Sequence, residues 1–86
     1  MVKITPLHLY RIRKYYGLTL IQMGEVLGIS DTYVSAMEVG REPVTENVQR
    51  RVNEAFNLTT NRLRAITIHY REHIEPFDRY KGKVKR

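Results

Sequence analysis

Apolar positions recur at helical spacing in five segments of the chain, and no segment alternates as a strand would. The first helix is predicted from about Leu7 to Tyr16. Pro6 suits its start, Leu9, Ile12 and Tyr16 share one face, and Gly17 stops it. The second begins at Thr19, where Thr19 and Gln22 have the spacing of a capping box. Met23 and Leu27 form its inner face and Gly28 ends it. Ser30 caps the third, Asp31 stands in the first turn where the helix dipole favours a negative charge, and Val34 and Met37 face inward before Gly40.

Thr45 caps a fourth helix whose core stripe is Val48, Val52, Ala55 and Phe56, and Asn57 suits a left-handed ending. A fifth is predicted from Thr59 to Pro76. Leu58 and Leu63 flank its cap as a hydrophobic staple, and Leu63, Ile66, Tyr70 and Ile74 make its stripe. Beyond it the chain is rich in Arg and Lys and poor in apolar residues, the composition of a flexible tail. The predicted division is residues 1–58, a C-terminal helix over 59–76 and a basic tail over 77–86. The fold class is an all-α helical bundle.

Composition narrows the chemistry. At 86 residues there is room for one small core, which favours a helical bundle or a dimer. Cysteine is absent, which removes disulfides, thiolate nucleophiles and cysteine-based zinc sites. No apolar run reaches the length of a membrane span, and the first residues lack a basic segment followed by an apolar one, so a cytoplasmic location is expected. His8, His69 and His73 are the candidates for proton transfer or metal binding. His69 and His73 have chelating i, i+4 spacing, but Arg71 stands between them and no HExxH pattern exists, so surface histidines and no metal or cofactor are expected. No phosphate-binding glycine loop or nucleophile elbow is present, and no enzyme activity is expected.

The net charge of +6 invites a nucleic-acid reading, but its distribution is uneven. Residues 1–58 hold seven Lys and Arg against six Asp and Glu, whereas residues 59–86 hold eight against three. Phosphate neutralisation dominates affinity for a duplex, so the first part needs a second copy or the basic segment to supply it.

Helices two and three, short and joined by a tight glycine turn, have the helix-turn-helix arrangement. Gly17-Leu18-Thr19, Met23-Gly24, Leu27-Gly28-Ile29-Ser30, Tyr33-Val34-Ser35, Glu38, Gly40 and Pro43 fall in one register. In these residues the chain resembles the phage-repressor (XRE-type, lambda-repressor-like) helix-turn-helix family over residues 7 to 58. The resemblance implies a structural ion pair between Arg13 and Glu38. It also implies that Asp31, Thr32, Ser35 and Ala36 face the DNA major groove, with Tyr33 at the edge and Arg41 on a phosphate. Asp31 suits helix capping as well as base contact, and Tyr33 suits packing against helix two.

Several residues depart from the family pattern. Leu20 stands where relatives often carry a phosphate-contacting glutamine, a polar residue often stands where Val39 is, and Ile21 and Val26 occupy positions usually polar. The groove-facing set has no Arg, Lys, Asn or Gln for bidentate base contacts.

Two functions follow as expectations. One is a sequence-specific regulator of transcription on double-stranded DNA, a dimeric repressor on a palindromic operator, with Ile66, Tyr70 and Ile74 of helix five as a homodimer interface or as completion of the monomer core. The other is a helix-turn-helix protein that binds another regulatory protein through Leu20, Ile21 and Val26.

Overall fold

The computed structural model describes residues 1–79 and Val84. The described residues form five α-helices and no strand: α1 (Pro6–Tyr15), α2 (Leu20–Leu27), α3 (Asp31–Glu38), α4 (Glu46–Phe56) and α5 (Thr60–His69). A π-helical turn (Tyr70–Ile74) and a 3-10 turn (Glu75–Phe77) follow.

The helix ends have local causes. Thr19, Ser30, Thr45 and Thr59 each accept a hydrogen bond from the backbone N–H three residues on, which satisfies one otherwise orphaned donor in each first turn. At Thr19 the bond is reciprocal, with the Gln22 side chain accepting from the Thr19 N–H at 2.9 Å. Gly28 (φ 71°) and Asn57 (φ 49°) end α2 and α4 in left-handed conformations. α1 starts at Pro6, one residue before the predicted start, because Thr5 caps it. The His8 N–H donates to Thr5 Oγ1, and the Thr5 N–H donates to His8 Nδ1, each at 3.2 Å.

The five helices enclose one core, made by Ile4, Leu9, Ile12, Met23, Leu27, Val34, Met37, Val48, Val52, Phe56, Leu63 and Ile66. Ala55, expected on the core stripe of α4, is exposed instead. The next residue, Phe56, is buried and stacks on Tyr16 at 4.8 Å, so the larger ring takes the inward position. The chain before α1 is clamped to α4. Asn53 accepts from the Val2 N–H and donates to the Val2 carbonyl, both at 2.8 Å, and Gln49 accepts from the Ile4 N–H at 2.9 Å. These bonds hold Ile4 in the core.

α5 ends earlier than its apolar stripe predicts. Proline at 76 has no N–H to continue an α-helix and its ring crowds the preceding turn, so the chain widens over Tyr70–Ile74 before Pro76 enters a 3-10 turn. Tyr70 still points inward at 1% exposure, but Ile74 slips off the stripe and is half-buried. α5 packs along α1, where Tyr10 and Tyr70 meet edge to face with centroids 6.1 Å apart. Of the two uses expected of Ile66 and Tyr70, an interface to a second copy or completion of the monomer core, it is the chain's own core that buries them.

Within the segment expected as a flexible tail from Phe77 onward, residues 77–79 are described. Asp78 is fixed by hydrogen bonds from two tyrosines, Tyr10 and Tyr70. Tyr80, Lys81, Lys83, Lys85 and Arg86 of that tail lie outside the described residues.

Candidate nucleic-acid interface

Gly24 of α2 lies so close to the turn into α3 that only glycine fits there. A Cβ on Gly24 would stand 2.5 Å from the Ile29 carbonyl oxygen and 3.2 Å from the Asp31 nitrogen, both of them backbone atoms. The missing side chain lets the entry to α3 lie directly on α2. Ser30 Oγ accepts from the Tyr33 N–H at 3.1 Å, and Val34 and Met37, both fully buried, pin the inner face of α3.

A third attachment comes from α1. Arg13 Nε donates to Glu38 Oε2 at 2.8 Å and its terminal nitrogens reach Glu38 Oε1 at 3.1 Å and the Leu18 carbonyl at 2.9 Å. Glu38 is 4% exposed, and burial pushes its carboxyl above the usual range against the opposing pull of Arg13. A buried, two-pronged pair of this kind fixes orientation, because either partner alone would be a desolvated charge. It ties the C-terminal end of α3 to α1 and to the loop before α2.

The outer face of α3 is what these attachments present. Asp31 and Thr32, in its first turn, are exposed, and Ser35 and Ala36, a turn further on, are half-buried. Tyr33 is half-buried and packs against the core, which places it on the edge of that face. Arg41 is exposed, and its backbone N–H donates to the Ala36 carbonyl at 2.9 Å, which holds it just past the helix. Asp31, Thr32, Ser35 and Ala36 thus share one side of a short rigid helix whose N-terminal turn is open to solvent. Hydroxyls, a carboxylate and a methyl at that end can meet base edges in a groove wide enough for a helix.

The apolar residues that depart from the family pattern do not form one patch. Successive residues of an α-helix are turned by about 100° about its axis, so Leu20, Ile21 and Val26 radiate in three directions. Leu20 lines a cleft between α1 and α3 together with Tyr10, Ser35 and Val39. Ile21, 61% exposed, borders a shallow hollow beside Gly28 and Asp31. Val26, 47% exposed, lies on the opposite side near Tyr16, Ala55 and Arg62. The joint surface expected of these three is therefore divided, and Ile74, on the far side of the molecule's sequence, is half-buried beyond α5.

Charge and histidines complete the surroundings. Arg51 donates to the Leu27 carbonyl at 2.9 Å, so it closes the C-terminus of α2 instead of facing outward. The rings of His69 and His73 stand 4.8 Å apart, and His69 also meets Tyr15 edge to face at 5.0 Å. Among the described residues no three potential metal ligands cluster. None of the helices described is long and apolar enough to cross a membrane.

Two features of this region have no local sequence signature. The cleft between α1 and α3 joins residues from both ends of the chain, including Val84. Asp78, which holds the C-terminal segment on α1, is a single carboxylate in a segment otherwise read as tail.

A family model described as helix-turn-helix matches residues 9–63, from the middle of α1 into α5. Searches among curated proteins and among solved structures gave no match. The family is one of DNA-binding regulators and not of enzymes. The matched span contains the glycine turn, the Arg13–Glu38 pair and the whole exposed face of α3, and the chain belongs to the helix-turn-helix family of the phage-repressor (XRE) type.

Proposed function

We propose that this protein is a repressor of transcription that binds a palindromic operator as a dimer, with the N-terminal turn of α3 in the major groove. The observation that carries the reading is the exposure of Asp31 and Thr32 at the open end of a helix fixed on three sides by Gly24, the core and Arg13. Thr32 and Ser35 exchange hydrogen bonds with base edges, the methyls of Thr32 and Ala36 meet thymine methyls, and Asp31 accepts from a cytosine amino group. Tyr33 flanks the contact and Arg41 meets a phosphate.

A second copy doubles the contact and sets the spacing of half-sites at about 34 Å, one turn of the duplex. Since Ile66 and Tyr70 are internal, the surface that supports a dimer is the outer side of α5 and the turn after it. There Ile68, 49% exposed, shares one surface with Arg71, Glu72 and Glu75. A two-fold axis near Ile68 sets each arginine against a glutamate of the copy, as an isologous contact requires.

A second reading is favoured by Ile21. A large apolar side chain, mostly exposed and next to Asp31, suits a partner protein that covers the start of α3 and so competes with DNA.

Selection from random duplex DNA tests the first reading. Enrichment of an inverted repeat supports it, and a pool without any enriched half-site refutes it. Capture of a partner that is lost in Ile21→Glu supports the second.

A further inference from the structure

α5 passes into the π-helical turn between two histidines, with His69 as its last residue and His73 within the turn. Both are exposed, and their rings stand 4.8 Å apart, tilted by 43°. A π-helical turn closes over more residues than an α-helical one, so His73 comes back almost directly over His69. Arg71 stands between them in sequence, but residues two apart on a helix do not face each other. Arg71 lies instead on the surface of Ile68, Glu72 and Glu75.

His69 is oriented from the core outward. Phe56, itself buried, stacks on Tyr16 with centroids 4.8 Å apart. Tyr16 meets Tyr15 edge to face at 4.9 Å, and Tyr15 meets His69 in the same way at 5.0 Å. Three ring contacts thus connect an exposed imidazole to a core residue. The His73 side chain is 63% exposed, with room to turn, and Glu72 Oε2 lies 3.8 Å from its Nε2.

Two imidazoles so placed suit a transition-metal ion. Zinc–nitrogen bonds are about 2.0–2.1 Å long, which sets two nitrogens on one tetrahedral ion about 3.3 Å apart. Rings with centroids 4.8 Å apart reach that separation by rotation of the side chains alone. Imidazole suits zinc, nickel and copper, whereas magnesium and calcium take oxygen ligands. The Glu72 carboxylate beside the pair adds a negative charge that favours a divalent cation.

We propose that His69 and His73 form a bidentate site for a divalent transition-metal ion of the zinc type, with the remaining coordination positions left to solvent. An ion held there bridges the last residue of α5 to the turn before Pro76. It fastens the segment that carries Tyr70 to the end of the helix. The site does not depend on the DNA-binding reading above.

Titration of the full chain with Zn²⁺, followed by the imidazole resonances of its three histidines, tests the site. His69 and His73 are expected to shift together along one saturable curve, while His8, whose Nδ1 accepts from Thr5, keeps its resonances. Mg²⁺ at the same concentrations is expected to move neither ring. His69→Ala and His73→Ala are each expected to weaken Zn²⁺ binding by about tenfold or more. The double variant Arg71→His with His73→Arg keeps composition and charge but sets one imidazole on the other side of the turn. It is expected to bind as weakly as the single variants. All these positions are exposed, so the variants are expected to stay folded, and Zn²⁺ is expected to raise the melting midpoint of the wild type above theirs. Equal affinity in the wild type and the exchanged variant overturns the chelate, as does a response to Mg²⁺ that matches the response to Zn²⁺. Movement of the His73 ring alone, with affinity unchanged in His69→Ala, overturns the pairing.

Discussion

The Asp78 carboxylate accepts a hydrogen bond from the Tyr10 hydroxyl across 68 positions of sequence, and it accepts a second from Tyr70. One acidic residue thereby ties the end of the last helical turns to the first helix. Burial pushes both hydroxyls above the usual tyrosine range, and the bonds to Asp78 add to that, because a phenolate could not donate them. Both folded-state values lie above the unfolded value of 10.0, so this contribution is complete below that pH and declines as pH rises through the folded values. Titration followed by phenolate absorbance is expected to show two tyrosines ionising late, one lost in Tyr10→Phe and the other in Tyr70→Phe. Tyr10→Phe is expected to cost about 1.5 kcal/mol in chemical denaturation at neutral pH, the range for a hydrogen bond to a charged group.

Gly24 fits α2 against the entry to α3, where a Cβ would meet backbone at 2.5 Å. Alanine has the better helix propensity, by about 1 kcal/mol, but here neither neighbour is a side chain that could turn away. Gly24→Ala is therefore expected to destabilise by about 2 kcal/mol, the middle of the range for overpacking. A denaturation midpoint equal to or above that of the wild type would contradict the close approach.

The Arg13–Glu38 pair couples three elements through one guanidinium. Breaking it from either side leaves a desolvated charge, so Arg13→Ala and Glu38→Ala are each expected to cost about 3 kcal/mol. The double variant Arg13→Met with Glu38→Leu is expected to be far closer to the wild type, since both charges leave together. Denaturation of the four proteins forms a double-mutant cycle, and strictly additive costs would argue against the pairing.

His8 makes the start of α1 sensitive to pH. Its Nδ1 must be unprotonated to accept from Thr5, and burial, aided by the charge of Arg11, holds its pKa below 6.5. The folded value lies below the unfolded one, so this contribution is complete above 6.5 and is lost as pH falls through the folded value. Stability measured between pH 7 and about pH 5 is expected to fall less in His8→Ala than in the wild type, in line with a cap of about 1 kcal/mol.

What could be read before the structure was mostly local. The caps at Thr19, Ser30, Thr45 and Thr59 and the left-handed ends at Gly28 and Asn57 depend on residues within four positions, and they stand where their chemistry puts them. The cap at Thr5 was hidden because histidine, not glutamate or glutamine, completes the box. Long-range side-chain bonds left no periodic trace. Asn53 and Gln49 clamp Val2 and Ile4 without any pattern that marks them, and Asp78 read as part of a tail. The apolar stripe of α5 was legible, but its partner was not. A stripe states that a face must be covered, and α1 of the same chain covers it at Ile66 and Tyr70. On α3 the split between inner Val34 and Met37 and outer Asp31 and Thr32 follows from helical period alone.

The outer face of α3 is the part of the molecule on which the function rests, and binding of the selected duplex by Thr32→Glu and Ser35→Glu tests it most directly. Each substitution sets a carboxylate against base edges and phosphates; Thr32 is exposed, whereas Ser35 is half-buried and lines the cleft that Arg13 and Glu38 border, so Thr32→Glu is the cleaner of the two. The expected result is a loss of affinity of at least tenfold, about 1.4 kcal/mol, in both variants, with thermal stability unchanged in Thr32→Glu. Affinity equal to that of the wild type in both variants would contradict a groove-reading α3.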